Sequence, residues 1–369
     1  MSLQVDIEKK LGNFTLKLKF EAENEVFALL GASGSGKSLT LKCIAGIEKP
    51  DRGRIVLDDR VLFDSEKGID LPPQERRTGY LFQQYALFPN MTVEQNIACG
   101  MRRDLWENRS LSRREKKAME ARKCREMMES MRLTGLEKHY PHQLSGGQQQ
   151  RTALARILAG EPDILMLDEA FSALDEHLRF SLQQEIKPVL KAFGKTVLLI
   201  SHDRGEVFRL SDSIAVLDKG GLLKTGSREQ VFSDPGTVSA ARLTGCRNIA
   251  EAVFDADSGQ SEDGLSSGNI RVPGYGLSFT CPKVQPGITH AGIRAESIRP
   301  AAVCRAGSGP VFRCRVAEEI ENPDSVDVML CINDGDPFCM EIDKRLWQEL
   351  RAPELDICIP EDALLLLRG

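Results

Sequence analysis

The sequence predicts an α/β unit over residues 1–235 followed by a small all-β barrel over residues 244–369. Two observations predict this division. Along the first part, short apolar runs alternate with helical patterns, which is the pattern of a parallel sheet covered by helices. After Pro235 the texture shifts through a Ser/Gly/Asp-rich stretch at 255–269, read as a loop, into short alternating runs broken by Pro, Gly and Asp. The length of 369 residues also favours two domains over one.

In chain order, the runs 27–30, 164–167 and 196–200 read as buried strands, each followed at once by polar residues. That placement suits a ligand lying beyond the carboxyl ends of a parallel sheet. From residue 91 to about 160 the pattern turns helical. Within 112–133, Ala121, Cys124, Met128 and Met131 recur on one helical face, read as a core-facing stripe with solvated charges opposite rather than a membrane or calmodulin-type helix. This region is the expected helical subdomain. In the second part, the runs 311–316, 325–332 and 355–359 read as strands, and no repeat at solenoid periods is present.

Composition narrows the function classes. Hydrophobic residues make up 41% and charged residues 28%, an ordinary globular balance. A formal net charge of -5 argues against nucleic acid as the main partner, since such proteins carry a basic stripe. Ten cysteines show no CxxC pair and no Cys/His metal spacing, and no charged-then-apolar signal segment opens the chain, so reduced cytosolic thiols are expected. Apolar runs such as 164–167 and 364–367 fall far short of the ~20 residues that cross a bilayer. Any transport would need another chain to form the pore.

The chemistry starts at Gly31-Ala32-Ser33-Gly34-Ser35-Gly36-Lys37-Ser38, a phosphate-loop pattern placed after an apolar strand and before the helical run 39–45 that Leu39 opens. Its glycines let backbone N–H groups and a helix N-terminus wrap an anionic phosphate chain. Lys37 would reach the β and γ phosphates, and the Ser38 hydroxyl would bind Mg²⁺. The strand 164–167 ends in Asp168 and Glu169. Beside a phosphate loop, Asp168 can hold the Mg²⁺ water shell and Glu169 can act as general base on the attacking water. Leu144-Ser145-Gly146-Gly147-Gln148 precedes the helical run 152–159 and offers a capping hydroxyl, free backbone N–H groups and a positive dipole end; alone it reads rather as an ordinary N-cap with a turn before it.

Together these motifs resemble one family, the ATP-binding-cassette ATPases. The likeness runs across most of the first 235 residues: the phosphate loop, Gln83 within Leu81-Phe82-Gln83-Gln84-Tyr85, the signature at Leu144 to Gln148, the Asp168-Glu169 strand, Ser172-Ala173-Leu174-Asp175, and His202 after Ser201. The resemblance implies a P-loop ATPase fold with a mixed sheet core and a helical subdomain, binding ATP and Mg²⁺. It implies that Gln83 senses Mg²⁺ and the attacking water, that His202 contacts the γ-phosphate, and that Asp175 lies at a subunit contact. Ser145, Gly146, Gly147 and Gln148 of one copy would close over the phosphate loop of a second copy, so the working form would be a homodimer. An aromatic that stacks on adenine is also implied; Phe14 is the candidate, with a plain core residue the other reading. Where the family usually has Pro after the general base this chain has Ala170, with a modest effect on rate expected.

Several segments are similar to import ATPases of the molybdate and sulfate type: residues 54–62, 67–69 and 71–77, then Tyr85-Ala86-Leu87-Phe88-Pro89. The stretches 244–249 and 292–298 resemble the appended β-barrel (TOBE/OB-like) of such importers, a module tied to oxyanion binding or regulation. The resemblance implies membrane permease subunits, an external oxyanion-binding protein as indirect partner, and a peripheral place at the cytoplasmic face of the membrane. Tyr85, Leu87 and Phe88 are candidate docking residues, with packing beneath the loop as the alternative. Molybdate is the expected solute, with sulfate or tungstate as alternatives. Two other readings stand beside it: a soluble ATPase acting on DNA or ribosomes, and a cytoplasmic oxyanion sensor. Against the first, Ser38 and Ser145 lie only 107 positions apart and no sustained heptads lie between them.

Overall fold

The computed structural model describes residues 2–101, 112–172, 175–260, 266–284, 286–305 and 307–369. The chain divides into two compact units, Met1–Arg228 and Glu229–Gly369. Ala173 and Leu174 of the expected Ser172-to-Asp175 motif lie outside the described residues.

The first unit opens with a hairpin of β1 (Ser2–Leu11) and β2 (Phe14–Glu23). Its apolar residues alternate, so Leu3, Val5 and Ile7 on one strand and Leu16, Leu18 and Phe20 on the other are buried while their neighbours face water. There follow β3 (Val26–Gly31), α1 (Lys37–Ala45), β4 (Arg52–Leu57), β5 (Arg60–Asp64), β6 (Ile69–Asp70), α2 (Pro73–Arg76) and β7 (Thr78–Leu81). The helical part comprises α3 (Val93–Ala98), α4 (Arg113–Ser130) and α5 (Gly146–Ala159). Then come β8 (Ile164–Asp168), α6 (Glu176–Phe193), β9 (Val197–Ser201), α7 (Arg204–Leu210), β10 (Ser213–Asp218) and β11 (Gly221–Ser227).

Among the described residues these eleven strands form one sheet in the order β6-β5-β4-β1-β2-β11-β10-β3-β9-β8-β7. The five strands β10, β3, β9, β8 and β7 are parallel, and every residue of β3, β8 and β9 is buried, as befits strands covered on both faces. The other arm is antiparallel, so the sheet as a whole is mixed. β11, antiparallel to β10, joins the two arms where its Gly221 pairs with Lys17 of β2, a parallel pairing. On α4, Cys124 and Met128 are buried, as is Met131 just past its end, which matches the predicted stripe; Ala121 is only half-buried.

The second unit is β-rich. After α8 (Arg228–Ser233) and α9 (Val238–Leu243) come β12 (Asn248–Glu251), β13 (Val253–Gln260), β14 (Ser266–Val272), β15 (Leu277–Val284), β16 (His290–Ile293), β17 (Arg299–Pro300), β18 (Val311–Glu321), β19 (Ser325–Cys331), β20 (Phe338–Asp343), α10 (Lys344–Leu350), β21 (Glu354–Cys358) and β22 (Leu364–Leu367). Among the described residues they form three sheets, β12-β16-β22, β13-β14-β15 and β17-β21-β18-β19-β20. Ile270 and Phe279, Ala291 and Ile293, and Val328 and Ile357 bring all three into one core, giving the barrel-like β domain that the alternating runs predicted. One expectation fails: 255–269 is largely the antiparallel pair β13 and β14, not a loop, with 261–265 outside the described residues. Ladder hydrogen bonds and a single buried face overrode the polar composition. Among the described residues no helix is long and apolar enough to cross a membrane.

Candidate functional site

The carboxyl ends of the parallel strands place the predicted residues together. The chain leaves β3 at Gly31, where a side chain would collide with the carbonyl oxygen of Leu217, and enters α1 at Gly36. Gly36 has φ +103 and lies against Phe14 and Leu16, so a Cβ there would be both strained and 2.5 Å from Leu16 Cδ1. Among the described residues no side chain caps α1, so its first N–H groups can meet an anion. Ala32, Ser33 and Gly34 are exposed, Ser35 is buried, and Leu39 is half-buried against the core. Lys37 is only 5% exposed and donates from Nζ to the carbonyls of Gly31 and Ala32 at 2.8 and 2.9 Å. Burial lowers its pKa, with Glu169 and Asp168 acting in the opposite direction.

Asp168 ends β8 and is held at both oxygens. Ser38 Oγ donates to Oδ1 at 2.8 Å and Tyr80 Oη donates to Oδ2 at 2.7 Å. Burial, and then the bond to Asp168, push the Tyr80 phenol far above its ordinary pKa, so it remains a donor. Glu169 follows with φ +47, a left-handed conformation of the kind that accumulates at functional sites. Its amide donates to the Ile200 carbonyl, and its own carbonyl accepts from the Ser172 amide and hydroxyl at 3.1 and 2.8 Å. Ala170 is fully buried beneath this turn.

Two side chains converge on the Glu169 carboxylate. Gln83 Nε2 lies 3.4 Å from Oε2 and donates to Ser172 Oγ at 3.2 Å. His202 Nδ1 stands 3.6 Å from Oε1, with the ring largely exposed. Phe14 sits beside the loop at Gly36 and Gly220, half-buried and packed against the core.

The hydrogen bonds of the signature residues close locally. Ser145 Oγ accepts from the Gln148 amide while Gln148 Oε1 accepts from the Ser145 amide, a reciprocal capping box. That box starts α5 at Gly146, so the helix begins six residues before the expected 152 and Gly146, Gly147 and Gln148 form its first turn. Asp175 caps α6 by accepting from the Leu178 amide at 2.9 Å.

Beside the Gln83 segment runs a groove of about 800 Å³ lined by Tyr80, Ala86, Phe88, Cys99, Arg156 and Pro162 among others. Tyr85 and Ala86 both have positive φ, and Arg156 clasps their carbonyls at 3.1 and 2.8 Å while lying over the Phe88 ring. Tyr85 is buried with its hydroxyl toward Gln150 and Leu87 is half-buried, whereas Phe88 is exposed. The alternative of packing beneath the loop therefore holds for Tyr85, which cannot be a surface docking residue.

Sequence reasoning missed Tyr80 and Arg156. Both act through residues distant in the chain, so no local pattern marked them; Tyr80 meets Asp168 only because β7 pairs with β8.

The ABC transporter family model matches residues 13–172. The chain is 41% identical to the putrescine transport ATP-binding protein PotG of Escherichia coli over 66% of its length, an alignment that spans 60% of that relative. It is 34% identical to the spermidine/putrescine import ATP-binding protein PotA of Nitratidesulfovibrio vulgaris, over 88% of this chain and 83% of the other. It is 40% identical to the sulfate/thiosulfate import ATP-binding protein CysA of Caulobacter vibrioides, over 73% of this chain and 76% of the other. Likeness of that depth over most of both chains, with the phosphate loop and the two strand-end acids in place, shows that the chain belongs to the ABC transporter family, as one of its ATPases.

Proposed function

We propose that the chain is the ATP-hydrolysing subunit of an importer, working as a pair on the cytoplasmic side of a membrane beneath separate permease subunits. The observation that carries this reading is the convergence of Gln83 and His202 on Glu169, next to the Ser38–Asp168 pair and Lys37. The donors at Ser38, Asp168 and the Gln83 amide oxygen are all oxygens, which suits Mg²⁺. Bound there, Mg²⁺ would offset charge on the β and γ phosphates. Amides of residues 33–39 and the Lys37 ammonium hold the phosphate chain, and Phe14 offers a face for adenine. Glu169 accepts the proton of the attacking water, which Gln83 orients, and His202 donates to the γ-phosphate.

Each copy has one phosphate loop and one signature, so two complete sites need two copies. The first turn of α5, with Ser145, Gly146, Gly147 and Gln148, offers a helix N-terminus to the partner's γ-phosphate, and Asp175 lies at the contact. Two ATP molecules would favour the closed pair, and hydrolysis would reopen it. The groove beside Phe88 and Arg156 would receive a helix of the permease, making closure an alternating-access stroke. Sizing chromatography of Glu169→Gln with ATP tests this reading: a dimer is expected, and a monomer under every ATP condition would overturn it.

For the solute, the segments 54–62, 67–69, 71–77 and 85–89 favour an oxyanion, molybdate first, taken from an external binding protein. The name of the CysA relative supports an oxyanion as a class. The names of PotA and PotG favour a second reading, a polyamine. Uptake of labelled molybdate, sulfate and putrescine, compared between cells with the native chain and cells with Glu169→Gln, separates them. Loss of putrescine uptake alone would overturn the oxyanion reading.

A further inference from the structure

Tyr80 stands on β7 with its Cα opposite Met166, two residues before Asp168 on the neighbouring parallel strand. Its ring lies against Phe82 with centroids 4.4 Å apart, which fixes the phenol. Asp168 is 8% exposed, so water does little to orient it. Rotation about the terminal bond of an aspartate is soft, and a single hydrogen bond leaves it free to swing. Here both oxygens are engaged, Oδ2 by Tyr80 and Oδ1 by Ser38.

We infer that Tyr80 is a positioning residue of the nucleotide site: by pinning Asp168 Oδ2 it keeps Oδ1 turned toward Ser38, the side from which a hydrated divalent cation would be held. The inference rests on the proposal that Asp168 serves Mg²⁺. It assigns the two carboxylate oxygens different tasks, one structural and one facing the cation. Groups that orient a metal-associated carboxylate govern cation affinity although they never touch the ion. The hydroxyl alone does this, because the ring contributes its packing with or without the oxygen.

Tyr80→Phe removes the hydroxyl and keeps the ring. Binding of trinitrophenyl-ATP to the full chain is measured in EDTA and across a Mg²⁺ titration, alongside the melting temperature and the Mg²⁺ dependence of phosphate release. The expected result is unchanged binding in EDTA, a half-saturating Mg²⁺ concentration raised about 10-fold or more, and hydrolysis regained at high Mg²⁺. A half-saturating Mg²⁺ concentration equal to that of the native chain, with only the melting temperature lowered, would assign the bond to stability alone and overturn the inference. Asp168→Asn and the native chain keep the underlying reading separate. If Mg²⁺ changes nucleotide binding in neither of them, the role of Asp168 fails first, and that of Tyr80 with it.

Discussion

His202 Nδ1 and Glu169 Oε1 stand 3.6 Å apart across two neighbouring parallel strands, since His202 follows β9 and Glu169 follows β8. On the other side, Gln83 follows β7 and reaches Oε2 of the same carboxylate. Three adjacent strands thus deliver three polar side chains to one point, and the middle one carries the acid. Glu169→Gln keeps the size and the neighbours of this group but cannot accept a proton. Phosphate release should fall about 10²- to 10⁴-fold. Nucleotide binding, measured with a fluorescent ATP analogue, should persist. Equal loss of binding and rate would mean that the carboxylate holds nucleotide rather than activates water.

Arg76 ties the far end of the phosphate-loop helix into the fold. It is fully buried and donates to the carbonyls of Cys43 and Ile44 at 2.8 and 3.0 Å, to Leu71 at 2.7 Å and to Asp70 at 2.9 Å. The first two are carbonyls of the last turn of α1, where helical donors run out; Cys43 also accepts from the Gly46 amide at 3.3 Å. Arg76→Met removes these bonds, and unfolding by urea should show a loss of roughly 2–4 kcal/mol. Lysine cannot substitute, because one ammonium does not span the acceptors that the planar fork reaches. A loss below that range in Arg76→Lys would show that the charge, not the fork, matters.

The parts of the fold legible in the sequence were those written locally. Runs such as 164–167 are apolar throughout because β8 is covered on both faces, and the acids follow at once. The alternation in β1 and β2 was equally present, with Leu3, Val5 and Ile7 inward, yet it belongs to an antiparallel arm that the parallel reading absorbed. Where a residue's meaning depends on a distant partner, no local signal existed. Tyr80 needs β8, and Arg156 needs the bent backbone at Tyr85 and Ala86. The β13 and β14 pair hid behind polar composition, because on β14 only one face, with Ile270 and Val272, is buried.

Asn248 should be a stability anchor of the second unit. Its amide is 3% exposed, donates to the carbonyls of Ile293 and Cys339 at 3.0 and 2.8 Å, and accepts from the Cys339 amide at 2.7 Å. The side chain therefore joins β12 to β20, which lie in different sheets. Its neighbour Arg247 is held in a two-pronged pair with Asp327 and a further contact with Glu341. Asn248→Leu removes three buried hydrogen bonds and should cost about 3 kcal/mol or more. Calorimetry should show a lowered transition while the rate of ATP hydrolysis at permissive temperature is kept.

Glu206 gives stability a pH dependence that can be isolated. It is 3% exposed in the first turn of α7, and its pKa is raised from 4.5 to about 8, by burial first and then by Asp203. Arg179, Ser201 and Arg209 act the other way, and Gln183 donates to its Oε2 at 3.3 Å. Between these two pKa values the folded chain holds a proton that the unfolded chain has released, so the native state binds more protons and stability falls as pH rises. Glutamine resembles the protonated acid and can still accept from Gln183. Glu206→Gln should therefore match the native chain near pH 4.5 and gain on it steadily up to about pH 8, beyond which the gap is constant; at about 1.4 kcal/mol per pKa unit, that gap is roughly 2–5 kcal/mol. Urea unfolding of both proteins at the two ends of this window measures it, and titration of every other group cancels in the difference. An equal gap at both ends would mean that the Glu206 carboxylate is ionised throughout, and that the arginines outweigh its burial.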